Sequence, residues 1–599
     1  MYIIFTQPKP QLNTDYYLNF LRSHCLTLLH FSRSFMNSFT FLFDLPAYQA
    51  DRTPQRVAGA MWRQGIKEEI ASEQFVLLIQ KIATQLIQRG VKKGERVIIL
   101  TDRYSIKWLA TDMAIMAIGA ISTPLHHPVK KRELDLILKR IEPVIIIHTG
   151  NVEVDEFAGH KGILIDELTS SSYILEENDL KNLEDIRKSL EPDDIATIVH
   201  TSGSSGEPRA VCLSHHNVVS NVLSVLSIVP FIPGTRVMSF LPLSHIFERI
   251  VCYVYIACGA NIYFLESYRN ALFALKDIRP QYFTSVPLIL ERFASILEER
   301  IEETSWFTRW AYRSWEKTER GILSHLGSLI AHEWIIKRWK RSMGGKLKGI
   351  VSGAAYLDPK VERLYHRSGI KIRQGYGLTE ASPVIAINRF EPGGYQKGTV
   401  GLPIPGVKVE IADDGEVLVK GPNVMLGYYK DEEATGLAIK EGWLHTGDIG
   451  RWVKEDFLVI TDRKSNIYKH ASGKFIAPAQ IESLLVHHPL IHEAMIIGFQ
   501  RPYTIALIIP HFDGLKRVCA EKNIHWTAPE YMIHNTLVIQ MYRDLLDNLG
   551  LHSHERIEKF ILLADTWSPE NGLLTAMYKP RRKEIMAKYE KDIEEMYGL

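Results

Sequence analysis

Apolar and polar positions along this chain switch repeatedly between a helical and a strand period. Over 75–88 the apolar residues recur at helical spacing, Gly90 supplies a stop, and Arg96-Val97-Ile98-Ile99-Leu100 follows as a short apolar run of strand character. Helical spacing returns over 106–118 and 131–140, then Val144-Ile145-Ile146-Ile147 again has the length and composition of a strand. This alternation predicts parallel sheet with helices on its faces. It recurs between Val237 and Tyr263 and near Tyr282, and Ile195-Ala196-Thr197-Ile198-Val199 adds a further buried strand. Between Gly401 and Tyr429 the pattern changes. There Val407-Lys408-Val409-Glu410-Ile411 runs into Asp413-Asp414-Gly415, which predicts hairpins and a small, mostly antiparallel subdomain. Beyond Asp462-Arg463-Lys464 mixed α/β character returns, with a helix over 481–486, a strand over 494–497 and a charged helix over 581–597.

The predicted class is therefore α/β: a large N-terminal domain with parallel-rich sheets flanked by helices, a small β subdomain, and a smaller α+β C-terminal domain starting at Asp462. A length of 599 residues agrees, being too long for one hydrophobic core. With 71 basic against 69 acidic residues, nothing in the charge favours nucleic acid. The five cysteines form no Cys-x-x-Cys pair, which argues against a zinc site or disulfide framework and fits a reducing cytoplasm. The most apolar stretch, 250–265, is too short to span a bilayer and is expected in the core. Residues 1–35 have the pattern of neither a signal peptide nor a structural element, and Met36 is the expected native start. Trp306, Trp310, Trp315, Trp334 and Trp339 stand among lysines and arginines; the favoured reading is a packed helical hairpin, the alternative a peripheral contact with the inner membrane.

The segment from His200 to Asn217 is the first with candidate chemistry. Thr201, Ser202, Gly203, Ser204, Ser205 and Gly206 gather hydroxyls and glycines after a strand, a composition that turns N–H and O–H donors toward an anionic oxygen cluster. Arg209 follows where it can close over phosphates. No Gly-Lys-Ser/Thr is present at Walker spacing, and a flexible linker is the competing reading.

Four more segments combine glycine turns with isolated polar residues: Gln374-Gly375-Tyr376-Gly377-Leu378-Thr379-Glu380, Gly442-Trp443-Leu444-His445-Thr446-Gly447-Asp448, Asp462-Arg463-Lys464, and Gly572-Leu573-Leu574-Thr575-Ala576-Met577-Tyr578-Lys579. In this order and at these spacings the chain, over roughly 44–599, resembles the adenylate-forming superfamily of acyl-CoA synthetases, luciferases and peptide-synthetase adenylation domains. LPLSHIFERIV (241–251), GTVGLPIPGVKVEI (398–411) and GEVLVKGPNVMLGYYK (415–430) are similar, more narrowly, to long-chain fatty acyl-CoA synthetases.

The resemblance implies an N-terminal extension over 1–43, an AMP-binding adenylation domain over 44–461 and a mobile C-terminal domain over 462–599. It implies two half-reactions: a fatty carboxylate attacks the α-phosphate of ATP to give acyl-adenylate and pyrophosphate, then coenzyme A displaces AMP. The cofactors it implies are ATP, Mg²⁺ and coenzyme A. Thr201 to Gly206 with Arg209 would clamp the β- and γ-phosphates. Gly353, Ala354 and Ala355 lie on its adenine-contacting strand, and Gln374, Gly375, Tyr376 and Gly377 belong to the nucleotide site, with Tyr376 against the adenine. Thr379 would bond the α-phosphate and Glu380, a hard oxygen ligand, would hold Mg²⁺. Asp448 and Arg463 would take the ribose hydroxyls. Lys579 would offset charge developing on the α-phosphate. His245 would orient the carboxylate, Gly473 would line the pantetheine tunnel, and Asp462 would be the hinge. The chain departs from the family pattern at Arg209 for Lys, Tyr356 for Pro, Ala576-Met577 for Pro-Thr, and Lys469-His470 ahead of Gly473. A carrier-protein acceptor, another carboxylic acid and a non-catalytic nucleotide binder are the alternative readings.

Overall fold

Short β-branched runs separated by amphipathic helices pair in parallel, because each returning helix covers a face of the sheet it leaves. The computed structural model describes residues 39–598 except 64, 151, 153–156, 158, 171, 203–207, 267–269, 303, 317–334, 465–467, 470–474, 487, 500, 553–554, 570 and 576–578. Expectations placed on 1–35, on Gly203, Ser204, Ser205 and Gly206, on Gly473 and on Ala576-Met577 fall outside the described residues.

Two large sheets form the N-terminal part. One has the strand order Gly427–Tyr428, Pro208–Ser214, Ile195–Ser202, Ile121–His126, Arg96–Thr101, Ile145–His148, Gly162–Leu164. Its last five strands run parallel and its first two antiparallel. The other has nine strands, from Leu402–Pro403 through Val384–Ile387, Lys371–Gly377, Gly349–Ser352, Tyr282–Ser285, Arg236–Ser239, Asn261–Leu265 and Val57–Arg63 to Ile66–Ala71. Parallel pairing holds from Lys371–Gly377 to Val57–Arg63, and both ends turn antiparallel. One buried cluster draws on both sheets and on the helices Ser72–Gln88, Ile106–Ala117, His215–Leu226 and Ile246–Ala257. The segment 250–265 is core, as expected: one helix end and the strand Asn261–Leu265.

The predicted β subdomain is a five-stranded antiparallel sheet. Lys408–Ile411 turns into Glu416–Lys420, with Gly415 at φ 85° where a side chain would strain the turn. Trp443–Val453 and Phe457–Arg463 complete its centre. The C-terminal part holds a three-stranded sheet of Ile491–Ile497, Thr504–Pro510 and Ile557–Leu562. Its two buried clusters contain no residue before Tyr468, and the three clusters of the N-terminal part contain none after Leu458.

Two sequence readings need correction. The closing helix is two helices, Arg582–Lys588 and Glu590–Tyr597, broken at Tyr589 so that Ile585, Tyr589, Ile593 and Met596 all reach one core. Gly353, Ala354 and Ala355 are not on a strand: the strand ends at Ser352, and they form the loop after it, with Ala354 at φ 74°. The Trp-rich segment is described only at its ends. Helix Trp306–Glu316 buries Ala311 and Tyr312 while Trp306 is 73% and Phe307 45% exposed, and Trp339 is buried. No helix among the described residues is long and apolar enough to cross a membrane.

Candidate active site

A continuous cleft of about 3390 Å³ runs between the strand ends of the N-terminal sheets and the C-terminal part. It is lined by Thr201, Arg209, His245, Gly353, Ala354, Ala355, Gln374, Gly375, Tyr376, Gly377, Thr379, Glu380, Asp448, Arg463 and Lys579. Residues scattered over almost 400 positions therefore meet at one surface. Ser202 ends its strand beside them.

The hydroxyl-rich segment grows from a β-hairpin. Ile195–Ser202 pairs with Pro208–Ser214, setting Thr201 opposite Arg209 and Ser202 opposite Pro208. The strand Gly427–Tyr428 adds to the far side of Pro208–Ser214 and brings Tyr428 under Arg209, whose guanidinium stands 5.3 Å from the ring centroid. The Tyr428 hydroxyl donates to Glu380 Oε1 at 2.9 Å. Arg209, Tyr428 and Glu380 thus form one polar chain at the cleft edge. The sequence shows Tyr428 only within Gly-Tyr-Tyr-Lys, and its role depends on the strand pairing.

Glu380 lies on a single 3₁₀ turn, Thr379–Ala381, directly after the strand Lys371–Gly377. Gly377 permits this turn: a Cβ there would lie 2.0 Å from the Pro383 carbonyl oxygen. A carboxylate held through one oxygen keeps lone pairs for a hard cation, so the donor chemistry fits Mg²⁺.

Farther along, Asp448 is buried. Its Oδ2 accepts from the Tyr376 hydroxyl at 2.6 Å and its Oδ1 meets Arg463 Nε at 2.8 Å. Burial raises its carboxyl, and Arg463 and the Tyr376 hydrogen bond oppose that. Asp448 and Arg463 face each other because Trp443–Val453 and Phe457–Arg463 pair in that register. The next residue, Lys464, bonds Asp414 Oδ2 at 2.6 Å and Glu416 Oε2 at 2.9 Å, contacts the sequence pattern does not reveal. Asp462 accepts from the backbone N–H of Arg463 and of Ala479, linking the last β-subdomain strand to the helix Pro478–Val486.

Lys579 stands on a turn closed by its own backbone: Thr575 N–H donates to the Lys579 carbonyl at 2.8 Å, and Arg581 N–H to Leu573 at 2.8 Å. The ammonium opens to solvent along the cleft but is crowded by both domains. That burial, with the nearby Arg463 charge, lowers it to about 8 against the pull of Asp448. Its charge in turn reaches His245, which precedes the helix Ile246–Ala257. Burial, then His126 and Lys579, lowers the His245 imidazole to about 3, so the ring is neutral at physiological pH. Behind it lies a cluster the sequence reading missed. The Tyr104 hydroxyl bonds His126 Nδ1 at 2.5 Å and Ser244 Oγ at 3.1 Å, and Arg249 pairs with Asp112 at 2.5 Å, both fully buried. The wall of the same cleft also includes the apolar side chains of Val225, Val229, Phe231, Val251 and Val254, with Tyr255.

Comparison with known proteins gives the following. A family model described as AMP-binding enzyme matches residues 47–429, and one described as AMP-binding enzyme C-terminal domain matches 466–598. The long-chain-fatty-acid–CoA ligase FadD15 of Mycobacterium tuberculosis is 30% identical over 580 residues, covering 91% of this chain and 94% of that protein. Human long-chain-fatty-acid–CoA ligase 1 is 28% identical over 580 residues, covering 89% and 82%. Among solved structures, o-succinylbenzoate CoA synthetase (MenE) from Bacillus subtilis in complex with its acyl-adenylate OSB-AMP has a TM-score of 0.68 at 21% identity, covering 90% of this chain and 97% of that one. ATP-bound MatB from Rhodopseudomonas palustris has a TM-score of 0.68 at 20% identity, covering 91% and 99%. At such identities the structures speak for the fold alone.

Proposed function

Because this chain belongs to the AMP-binding enzyme family, with adenylate-forming acid–CoA ligase chemistry, we propose that it is an ATP- and Mg²⁺-dependent long-chain fatty acid–CoA ligase. The observation that supports the acyl specificity is the apolar wall of Val225, Val229, Phe231, Val251, Val254 and Tyr255, in the same cleft as His245, Asp448 and Lys579. Such a wall favours an alkyl chain over a polar acid by removing its methylenes from water, each worth about 0.8 kcal/mol.

In this reading the fatty carboxylate enters with its tail against that wall and its head near the neutral His245. Asp448 and Arg463 bind the ribose, Thr379 bonds the α-phosphate, and Tyr376 flanks the adenine. Glu380 would hold Mg²⁺, which would supply positive charge against the triphosphate. Lys579 supplies positive charge at the α-phosphate as the carboxylate attacks and pyrophosphate departs. Arg209, with the hairpin residues Thr201 and Ser202, holds the leaving phosphates; its planar fork gives bidentate contacts that a lysine does not. Coenzyme A thiol then attacks the acyl carbonyl, releasing AMP.

The test is pyrophosphate release with palmitate, with and without coenzyme A, alongside an acid panel scored for thioester. Palmitoyl-CoA formed faster than short-chain or aromatic esters supports the reading. Acyl-AMP accumulating despite coenzyme A overturns the acceptor, and no pyrophosphate with any acid overturns catalysis. A cytoplasmic enzyme touching the inner membrane through Trp306 and Phe307 is the accompanying proposal. Flotation with anionic vesicles, lost in a Trp306→Ser/Phe307→Ser variant, supports it; flotation unchanged by the variant, or none at all, overturns it.

A further inference from the structure

The turn that carries Lys579 touches the large domain on both of its legs. On the incoming leg, Gly572 sits so close to Lys130 that a Cβ there would lie 3.0 Å from the lysine Cε. On the outgoing leg, Lys130 Nζ meets Glu584 at 2.9 Å and Glu133 meets Arg581 at 3.6 Å. Lys130 and Glu133 lie at the start of one helix, Lys131–Ile141. The two legs are joined by backbone bonds from Arg581 to Leu573 and from Thr575 to Lys579, so the base of the turn and Lys579 move as one piece. Arg582, between the two contact residues, ties the same piece to its own domain through Glu482 at 2.5 Å.

We propose that Lys130 and Glu133 are positioning residues for Lys579: they grip the base of its turn across the domain boundary and hold the lysine in the pose that adenylation requires. The inference rests on the acid–CoA ligase reading for its kinetic consequence, though not for its geometry. Both pairs are partly exposed, at 49% for each side chain of Lys130–Glu584 and 29% for each of Glu133–Arg581. Each pair is therefore a modest bias on pose, a factor of up to about five, that salt screens. A clamp of that strength orders the lysine turn yet lets go within one turnover.

The experiment compares the wild type, Lys130→Glu, Glu584→Lys and the swapped double variant in both half-reactions. Adenylation is read as palmitate-dependent ATP–pyrophosphate exchange, and thioester formation from supplied palmitoyl-AMP and coenzyme A. The expected result is a loss of about fivefold in exchange for each single variant. Thioester formation is unchanged or faster, the swap restores exchange, and the difference shrinks at high salt. Equal loss in both half-reactions, or a swap no better than the singles, overturns the proposal. Hydrogen exchange of residues 573–581, measured without substrate, should quicken in Lys130→Glu and recover in the swap. A wild type inactive with every acid defeats the ligase reading alone, and the hydrogen-exchange result still decides the clamp.

Discussion

Lys579 carries a charge that the cleft itself makes easier to lose. With its ammonium lowered to about 8, adenylation should fall as pH rises through that value, because the proton that supplies the charge is gone above it. Lys579→Arg, which keeps its proton, should hold its own rate flat to pH 9; an unchanged falling limb in that variant assigns the titration to another group. A second titrating residue acts on stability. Glu248 is fully buried with Ser239 and Thr284 donating to its two oxygens, and burial pushes it up to about 7. Folding is unpenalised while the carboxyl is protonated in both states and loses stability as pH climbs from the ordinary carboxylate range through about 7. Glu248→Gln should therefore gain about 2–3 kcal/mol on the wild type between pH 5 and pH 8 in denaturant titrations. At this scale the sequence exposes residues whose type is dictated by phosphate, ribose or metal chemistry, such as Glu380, Asp448 and Lys579. It hides contacts: Tyr428, not singled out there, reaches Glu380 across 48 positions, and the bond by which Tyr376 reaches Asp448 spans 72.

Strands and helices were readable where one period ran unbroken. The helix over 75–88 starts three residues earlier, at Ser72, and the hairpin at Asp413-Asp414-Gly415 forms as its turn residues predict. Periodicity alone misplaced the ends of elements that turn sharply. The closing helix reads as continuous because Ile585, Tyr589, Ile593 and Met596 recur at helical spacing on both sides of its break, while Gly353 to Ala355 are set on a strand by the family resemblance and form the loop after it. The turn from Gly377 to Glu380 offers a direct test of how far a local contact governs the site. Gly377→Ala drives a methyl into the Pro383 carbonyl and should cost about 2–3 kcal/mol in thermal or chemical unfolding. Pyrophosphate exchange should drop with it, since Thr379 and Glu380 ride on the same turn. Normal stability and exchange in that variant show that the turn relaxes freely.

Length and the change of pattern near Asp462 were enough to expect two domains, but which surfaces meet was not legible, since the contacting residues are ordinary surface charges. Because no buried apolar cluster among the described residues spans both parts, calorimetry should resolve two unfolding transitions, the smaller belonging to the C-terminal part. A single transition whose calorimetric and van't Hoff enthalpies agree contradicts this. The same separation of cores has a consequence for the working molecule. The turn of one domain against the other that the resemblance implies would expose little apolar surface, so the heat-capacity difference between its poses would be small and their ratio would drift little with temperature. What would move that ratio is ionic strength, through pairs such as Lys130–Glu584. The electrolyte around the protein, more than its warmth, would then set how its time is divided between the two halves of the reaction.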